Sequence, residues 1–214
     1  MNPLFGTCKW LIFSQLIISI LICTKVTAQK DSASGRGNKL DHFSLAFTNN
    51  HSAYPFSSFS NLVSGEWHPG FELGTGFNWS VRKKHDWYQE FKLGYFYHQF
   101  VQHGIPLYTN FGYSYKFSKH WDAQAGLGAG VLFSIPDHKR YKLNDEGNYE
   151  AHNKVRLQGM FVFNVGSGYR FALDKNHPLE AFVTYQQRIQ TPYVPSYVPL
   201  LPYNSLMFGV KWGM

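Results

Sequence analysis

The sequence predicts an all-β fold: a closed antiparallel barrel of eight strands that crosses a membrane and follows an amino-terminal signal peptide. Three observations lead to this prediction: long runs of alternating apolar and polar residues, an export signal, and connections that alternate in length. In one run Phe71 and Leu73 flank Glu72, and the same spacing recurs over residues 107–117. A period of two is the side-chain period of a strand. Runs this long, with one apolar and one polar face, are typical of strands that contact lipid on one side.

The first 28 residues have the features of a secretory signal. Lys9 precedes an apolar run over residues 11–23, and Ala28 ends a short segment with a small residue at its last position. This pattern predicts cleavage after Ala28. The predicted organisation is therefore a signal peptide over residues 1–28, a flexible segment over 29–40 and a barrel over 41–214.

Two other interpretations of this segment are open. An amino-terminal membrane helix needs about 20 apolar residues, more than this run supplies. A lipoprotein cut before Cys23 would need a small residue where Ile22 stands. The cleavable signal fits the sequence best.

Composition excludes several classes of function. Both cysteines, Cys8 and Cys23, lie in the predicted signal, so the mature chain would have neither disulfides nor thiolate metal sites. Removing the signal takes away Lys9 and Lys25 and no acid, which lowers the formal charge from +7 to +5. Lysine and arginine form no long run, so nucleic acid is not an expected partner. Aromatic residues make up 18% of the chain although the mean hydropathy is −0.30. Both values are expected if, along each strand, one residue faces lipid and the next faces a polar interior.

The alternation defines eight strands of similar length. We predict them at residues 41–48, 70–82, 87–100, 107–117, 121–133, 154–171, 179–189 and 204–212. All but the first are nine residues or longer, as a tilted strand needs in order to cross the hydrocarbon.

The connections between these strands differ in length on the two sides of the predicted barrel. The short polar ones are residues 83–86, 118–120 and 172–178. The others are residues 49–69, 101–106, 134–153 and 190–203. Outer-membrane barrels have short periplasmic turns and longer extracellular loops, so this alternation predicts an even strand number and an orientation.

Four tryptophans support the same orientation. They stand beside the short turns or at the end of the last strand: Trp79, Trp87, Trp121 and Trp212. Indole favours the headgroup region, so we predict an aromatic girdle at the periplasmic face.

The inward phase of the strands carries charges of both signs. We predict a polar network in the lumen made of Glu72, Glu90, Lys92, Lys116, Asp122, Arg156, Arg170, Glu180 and Arg188. The same phase holds some apolar residues: Phe96, Phe100, Met160, Val162 and Phe182. Eight strands enclose an interior that side chains can fill, so a plugged lumen is expected rather than a pore. A soluble lipocalin-like barrel would turn polar residues outward, and the strong strands do the reverse.

With these features the chain resembles the small eight-stranded outer-membrane barrel proteins of Gram-negative bacteria. The resemblance covers the mature chain and includes a last strand with Leu206, Phe208, Val210 and Trp212. It implies an outer-membrane location, contact with outer-membrane lipid, and recognition of the last strand by the barrel-assembly machinery. We expect a monomer without cofactors.

The function expected from this resemblance is a structural or surface-interaction role without catalytic residues. One alternative is an outer-leaflet enzyme of the lipid A acyl hydrolase or transferase type, and another is a narrow channel for small solutes. Deacylase barrels of this kind carry a His-x-Ser-Asn pattern, whereas His42-Phe43-Ser44 is followed here by Leu45. The histidines lack spacings that preorganise a metal site.

Residues 190–203 are the best candidate for specific recognition. The segment contains four prolines and no charged residue, and its apolar side chains would offer contact area. The candidate recognition residues, for an extracellular ligand or protein, are Tyr193, Tyr197, Leu200 and Leu201. The alternative is a loop that packs over the barrel mouth.

Overall fold

The computed structural model describes residues 40–52, 59–137, 141–143, 148–151, 155–171, 178–193 and 198–213. The predicted cleavage site at Ala28 and the predicted flexible segment, apart from Leu40, lie outside these residues. Within the described ranges, no helix is long and apolar enough to cross a membrane.

Eight long strands form the barrel, and one helical turn and a small hairpin lie in its connections. The helix α1 is Phe59–Ser64, and the hairpin consists of β6 Tyr141–Leu143 and β7 Tyr149–Ala151. The barrel strands are β1 His42–Ser52, β2 Pro69–Val81, β3 His85–His98, β4 Gln102–Lys116, β5 Trp121–Pro136, β8 Arg156–Phe171, β9 Leu179–Thr191 and β10 Leu201–Gly213.

The sheet closes on itself. The order around the barrel is β1, β10, β9, β8, β5, β4, β3 and β2, with every neighbour antiparallel. β1 and β10 close it, with Phe43 opposite Trp212 and Phe47 opposite Phe208. Closure removes the free edges that lipid could not satisfy with hydrogen bonds. The predicted closed eight-stranded antiparallel barrel is confirmed.

Side chains alternate between the outer wall and the interior. On β2 the outward Leu73 is 49% exposed, whereas the adjacent inward Glu72 is 4% exposed. The outward positions are mostly aliphatic or aromatic, and many inward ones are polar or charged. The barrel therefore has an apolar outer surface and a largely polar interior, as a transmembrane barrel requires.

The two ends of the barrel differ. At the short-turn end, residues 82–84 and 117–120 join strands, β8 ends and β9 begins, and β1 begins and β10 ends there. At the long-loop end lie α1, the β6–β7 hairpin and, between β9 and β10, residues 192–193 and 198–200. Short turns mark the periplasmic side of outer-membrane barrels, so the long-loop end faces outward.

The predicted connection between β3 and β4 is wrong. Residues 101–106 were expected between strands, but β4 begins at Gln102, so only residues 99–101 join β3 to β4. Phe100 sits in this tight turn with φ of 63° and is 65% exposed, which corrects its predicted inward position. Its N–H donates to Oδ2 of Asp137 at 2.9 Å, which helps to hold the turn.

Gly104 and Pro106 made this part of β4 look like a loop. A Cβ on Gly104 would lie 2.3 Å from the ring of Phe96, so glycine is needed for that ring to lie flat against β4. Pro106 has no N–H to donate to β3, and the register between β3 and β4 is interrupted at this residue. On its other side Pro106 still lies opposite Leu132 of β5. Both residues serve the packing of a continuous strand.

Candidate functional site

The barrel interior at the short-turn end is built from ion pairs. Nε of Arg170 lies 3.1 Å from Oε2 of Glu180 on the neighbouring strand, and the same guanidinium also binds Asp122. Lys116 at the end of β4 pairs with Asp86 of β3. These contacts lie beside the short turns because the residues are the first or last inward positions of their strands.

Glu90 of β3 is the centre of a second group, deeper in the barrel. Its carboxylate lies 3.3 Å from Nζ of Lys92 and 3.0 Å from Nζ of Lys211. Nε2 of His42 lies 3.2 Å from the same carboxylate. Lys211 comes from β10 and His42 from β1, so this group ties the two closing strands to β3, across the intervening β2.

A third group lies nearer the long-loop end. NH2 of Arg188 lies 3.1 Å from Oε1 of Glu72, and the hydroxyl of Tyr108 donates to Oε2 of Glu72 at 2.6 Å. Gln186 in turn donates to the oxygen of Tyr108 at 2.8 Å. The guanidinium of Arg188 also stands over the ring of Phe96, 4.9 Å from its centroid.

An apolar layer crosses the lumen at this level. We call it the lumen cluster, and its members are Phe96, Tyr108, Leu132, Met160, Val162 and Tyr203. All six are almost completely buried. Above them Gln102 donates to Gln190 at 3.0 Å and to the hydroxyl of Tyr203 at 3.2 Å.

Eight of the nine residues of the predicted polar network thus lie in these three groups. Arg156 does not join them. It lies at the long-loop end, where NH1 donates to the carbonyl oxygen of Tyr193 at 2.9 Å and the guanidinium stands 5.4 Å from the centroid of that ring.

Sequence reasoning missed the uncharged polar residues of the interior. Tyr88, Tyr108 and Gln158 share the inward phase of their strands, and this phase could have identified them. Attention to charge alone left them out. Tyr203 was missed because it was assigned to a loop, whereas β10 begins at Leu201.

The four tryptophans of the predicted girdle lie where their strands meet the short-turn end. All four are outward and partly exposed. Trp87 stacks on Phe111 with ring centroids 5.5 Å apart, and Trp121 meets Tyr169 edge to face at 5.0 Å. Side chains of this type at one level are suited to the headgroup region.

The predicted recognition residues do not share one environment in the structure. Leu200 is exposed, and Leu201 is partly buried against the lumen cluster. The N–H of Tyr193 donates to the carbonyl oxygen of Pro199 at 3.2 Å. Tyr197 lies outside the described residues.

Histidines gather at the long-loop end. The rings of His68 and His98 lie 4.1 Å apart between centroids, and His51 lies 6.2 Å from His68. Burial and the neighbouring His51 lower the pKa of His68. Within the part of the chain that the structure describes, no three histidine, cysteine or acidic residues are placed to hold a metal ion.

A closed barrel with an apolar outer wall, a charged interior and an aromatic ring at one end is an integral membrane barrel, and bacterial barrels of this class lie in the outer membrane. No protein-family model matches the sequence, and no curated protein matches it.

Among solved structures the chain is similar to Neisserial surface protein A, with 10% identity over 84% of this chain and 100% of that chain, and a TM-score of 0.49. It is also similar to the outer membrane enzyme PagL, with 14% identity over 78% and 97% of the two chains and a TM-score of 0.43. The attachment invasion locus protein Ail of Yersinia pestis gives 12% identity over 82% and 97%, with a TM-score of 0.41. At these identities the likeness concerns architecture alone.

Proposed function

We propose that the protein is a non-conducting outer-membrane barrel that acts at the cell surface through its long-loop end, without catalytic activity. The observation that carries this proposal is the lumen cluster. Its side chains come from β3, β4, β5, β8 and β10, so they reach inward from most of the wall. These side chains, with the buried Glu72–Arg188 pair packed against them, occupy the lumen at this level and so support a lumen closed to ions.

The middle of the lumen supports the same conclusion. Between Glu90, Asn110 and Phe182 lies a cavity of about 10 Å³. That is about the smallest space that holds one water molecule. A narrow channel, the alternative function, would need a continuous file of waters past both this point and the lumen cluster.

Conductance across planar bilayers tests this part of the proposal. We expect no channel currents from the purified protein at neutral pH. A matched variant with Phe96→Ala and Tyr203→Ala, which thins the lumen cluster, should give measurable currents if the cluster is what seals the lumen. Steady currents from the unmodified protein would overturn the non-conducting role.

The long-loop end carries the side chains suited to surface contacts. Trp67 is 66% exposed between α1 and β2, Val63 is exposed on α1, and Phe100 and Leu200 are exposed on two other connections. Tryptophan is among the residues most often found as anchors of protein interfaces. These exposed side chains support an interaction role at this end.

Attachment of cells tests that role. Cells that display the variant Trp67→Ser, Phe100→Ser, Leu200→Ser are expected to lose self-aggregation or surface attachment shown by cells with the unmodified protein. The control replaces Lys83, Lys84 and Lys119 by serine at the short-turn end and should change nothing. Equal behaviour of loop variant and unmodified protein, at equal surface amounts, would contradict the role.

The lipid-modifying alternative has little support in the geometry. His42 and Ser44, the closest match to a catalytic pattern, point into the lumen near the short-turn end, and His42 contacts Glu90 there. Lipid of the outer leaflet lies at the opposite end of the wall. Mass spectrometry of lipid A from cells with and without the protein should give the same acyl pattern, and a changed pattern would establish the enzyme instead.

A further inference from the structure

The short-turn end of the barrel contains a cup-shaped cavity that the surface role does not use. Its volume is about 260 Å³, and it opens at the side that short turns assign to the periplasm. The lumen cluster and the narrow middle of the lumen close it from the other side. The cup is therefore a blind site that can exchange contents only with the periplasm.

The wall of the cup carries more acidic side chains than basic ones. Among the described residues, the acidic side chains that line it are Asp41, Asp86, Asp122 and Glu180, and the basic ones are Arg170 and Lys211. Tyr88, Asn78 and Gln124 complete much of the polar lining.

The ion pairs do not neutralise this wall. Asp122 and Glu180 share the single guanidinium of Arg170, which leaves one negative charge in that group. Asp86 is neutralised by Lys116. Lys211 is bound by Glu90, deeper in the barrel, where Lys92 adds a positive charge. The excess of negative charge therefore lies at the mouth and the positive charge deeper inside.

Asp41 adds a second negative charge at the mouth. Its Oδ2 accepts the N–H of Asn78 at 2.8 Å. In the described ranges it forms no ion pair. A carboxylate at the opening of a cavity, with a neutral partner only, is available to a cation that enters from solution.

Ser114 provides an independent indication of a ligand. The residue is 4% exposed and faces the cup from β4, and its Oγ has no hydrogen-bond partner within the described structure. A buried hydroxyl without a protein partner is satisfied by a water molecule or by a ligand that displaces it. The cavity in front of it is where such a molecule would lie.

We propose that this cup binds a small organic cation with primary ammonium groups, taken from the periplasm. An ammonium group donates up to three hydrogen bonds and suits a wall of carboxylate, hydroxyl and amide oxygens. The acids and histidines of the described residues do not converge on a single point as metal ligands do. The cup can also hold a short carbon chain, because the ring of Tyr88 and the ring of Pro178 are part of its lining.

Calorimetric titration of the whole folded protein in nanodiscs, at physiological ionic strength, tests the proposal with cadaverine as the probe. We expect saturable binding of one cadaverine per barrel. Pentanediol, which has the same chain without charge, and glutarate, which has the opposite charge, should not bind. Binding of magnesium chloride with the affinity of cadaverine would overturn the assignment to an organic ammonium ion.

Two variants locate the site. Asp41→Asn should weaken cadaverine binding by about tenfold, since one charge-assisted hydrogen bond is lost. Ser114→Ala should weaken it several-fold with little effect on the barrel. The matched control is Asp137→Asn, which removes the same charge at the long-loop end and should leave the affinity unchanged.

Migration on a gel before and after boiling shows whether each variant is folded. An unsaturable titration of the folded protein, equal binding of pentanediol, or equal loss of affinity in Asp41→Asn and Asp137→Asn would each overturn the proposal. Channel currents would contradict the non-conducting role and would leave the cation site of the cup unaffected. The two proposals are therefore tested by different results.

Discussion

Arg188 of β9 reaches across the barrel interior to Glu72 of β2, with NH2 and Oε1 3.1 Å apart. Two other strands, β10 and β1, separate β9 from β2 around the wall. Both side chains are almost completely buried, and the arginine is 1% exposed. The pair therefore joins separate parts of the wall through a buried interior, where each charge depends on the other.

Removal of Arg188 should destabilise the barrel strongly. Arg188→Met leaves the carboxylate of Glu72 buried without a cation, and such a loss costs about 3–5 kcal/mol of the free energy of unfolding. Urea titration of the protein in lipid vesicles measures this loss. The double variant Glu72→Gln, Arg188→Met should be clearly more stable than the single variant. Equal stabilities would show that the carboxylate finds another partner.

The effects of Gly104 and Phe96 substitutions should not be additive. Gly104→Ala places a methyl group against the ring of Phe96 and should destabilise the barrel by about 1–3 kcal/mol. In a Phe96→Ala background the ring is gone, so the same change should cost much less. A double-mutant cycle by urea titration checks this, and additive losses would contradict the close contact.

Labels on the outer wall should report lipid. Nitroxides at Leu73→Cys and Phe111→Cys should be reached by oxygen from the bilayer and poorly by a water-soluble nickel chelate, because both residues face outward within long strands. A label at Phe100→Cys, in the turn at the long-loop end, should show the opposite preference. Equal access of the chelate to all three positions would refute the assigned lipid-facing wall.

The long-loop end should loosen in acid. The lowered pKa of His68 means that the ring takes up a proton more readily when this region is open. Its contribution to local stability is therefore complete above about pH 6.5, the ordinary value, and declines as the pH falls below it. The groups that face it are His51, His98 and Glu66.

Hydrogen exchange of the Asn50 amide measures this change, since that N–H donates to the carbonyl oxygen of His68 at 3.0 Å. After correction for the intrinsic rate, protection should fall between pH 7.5 and 5 in the unmodified protein. It should change much less in His68→Gln. The control His120→Gln, at the short-turn end, should behave like the unmodified protein.

The alternation of side chains was enough to predict most of the barrel. A period of two is set by backbone geometry, so Leu73 and Glu72 could be assigned to opposite faces without any knowledge of their neighbours. The charged residues of the interior followed from the same phase. The alternating runs predicted eight strands, and the lengths of the connections predicted an even number and the orientation.

Features that depend on contacts between distant residues could not be predicted in this way. The role of Gly104 is visible only when the ring of Phe96 is placed beside it. The tight turn at Phe100 depends on Asp137, which is 37 residues away in the sequence. The cup depends on side chains from most of the strands. Local sequence patterns contain no information about contacts between residues that are distant in the sequence.

We expect the girdle of four tryptophans to hold one end of the barrel at the headgroup level of the inner leaflet. Indole is costly to move from that level in either direction. In a thicker or thinner bilayer the mismatch must therefore be taken up at the other end, around α1 and the loops that carry Trp67 and Leu200. The thickness of the surrounding lipid then sets how far those loops extend above the membrane surface. It therefore also sets which partners they can contact.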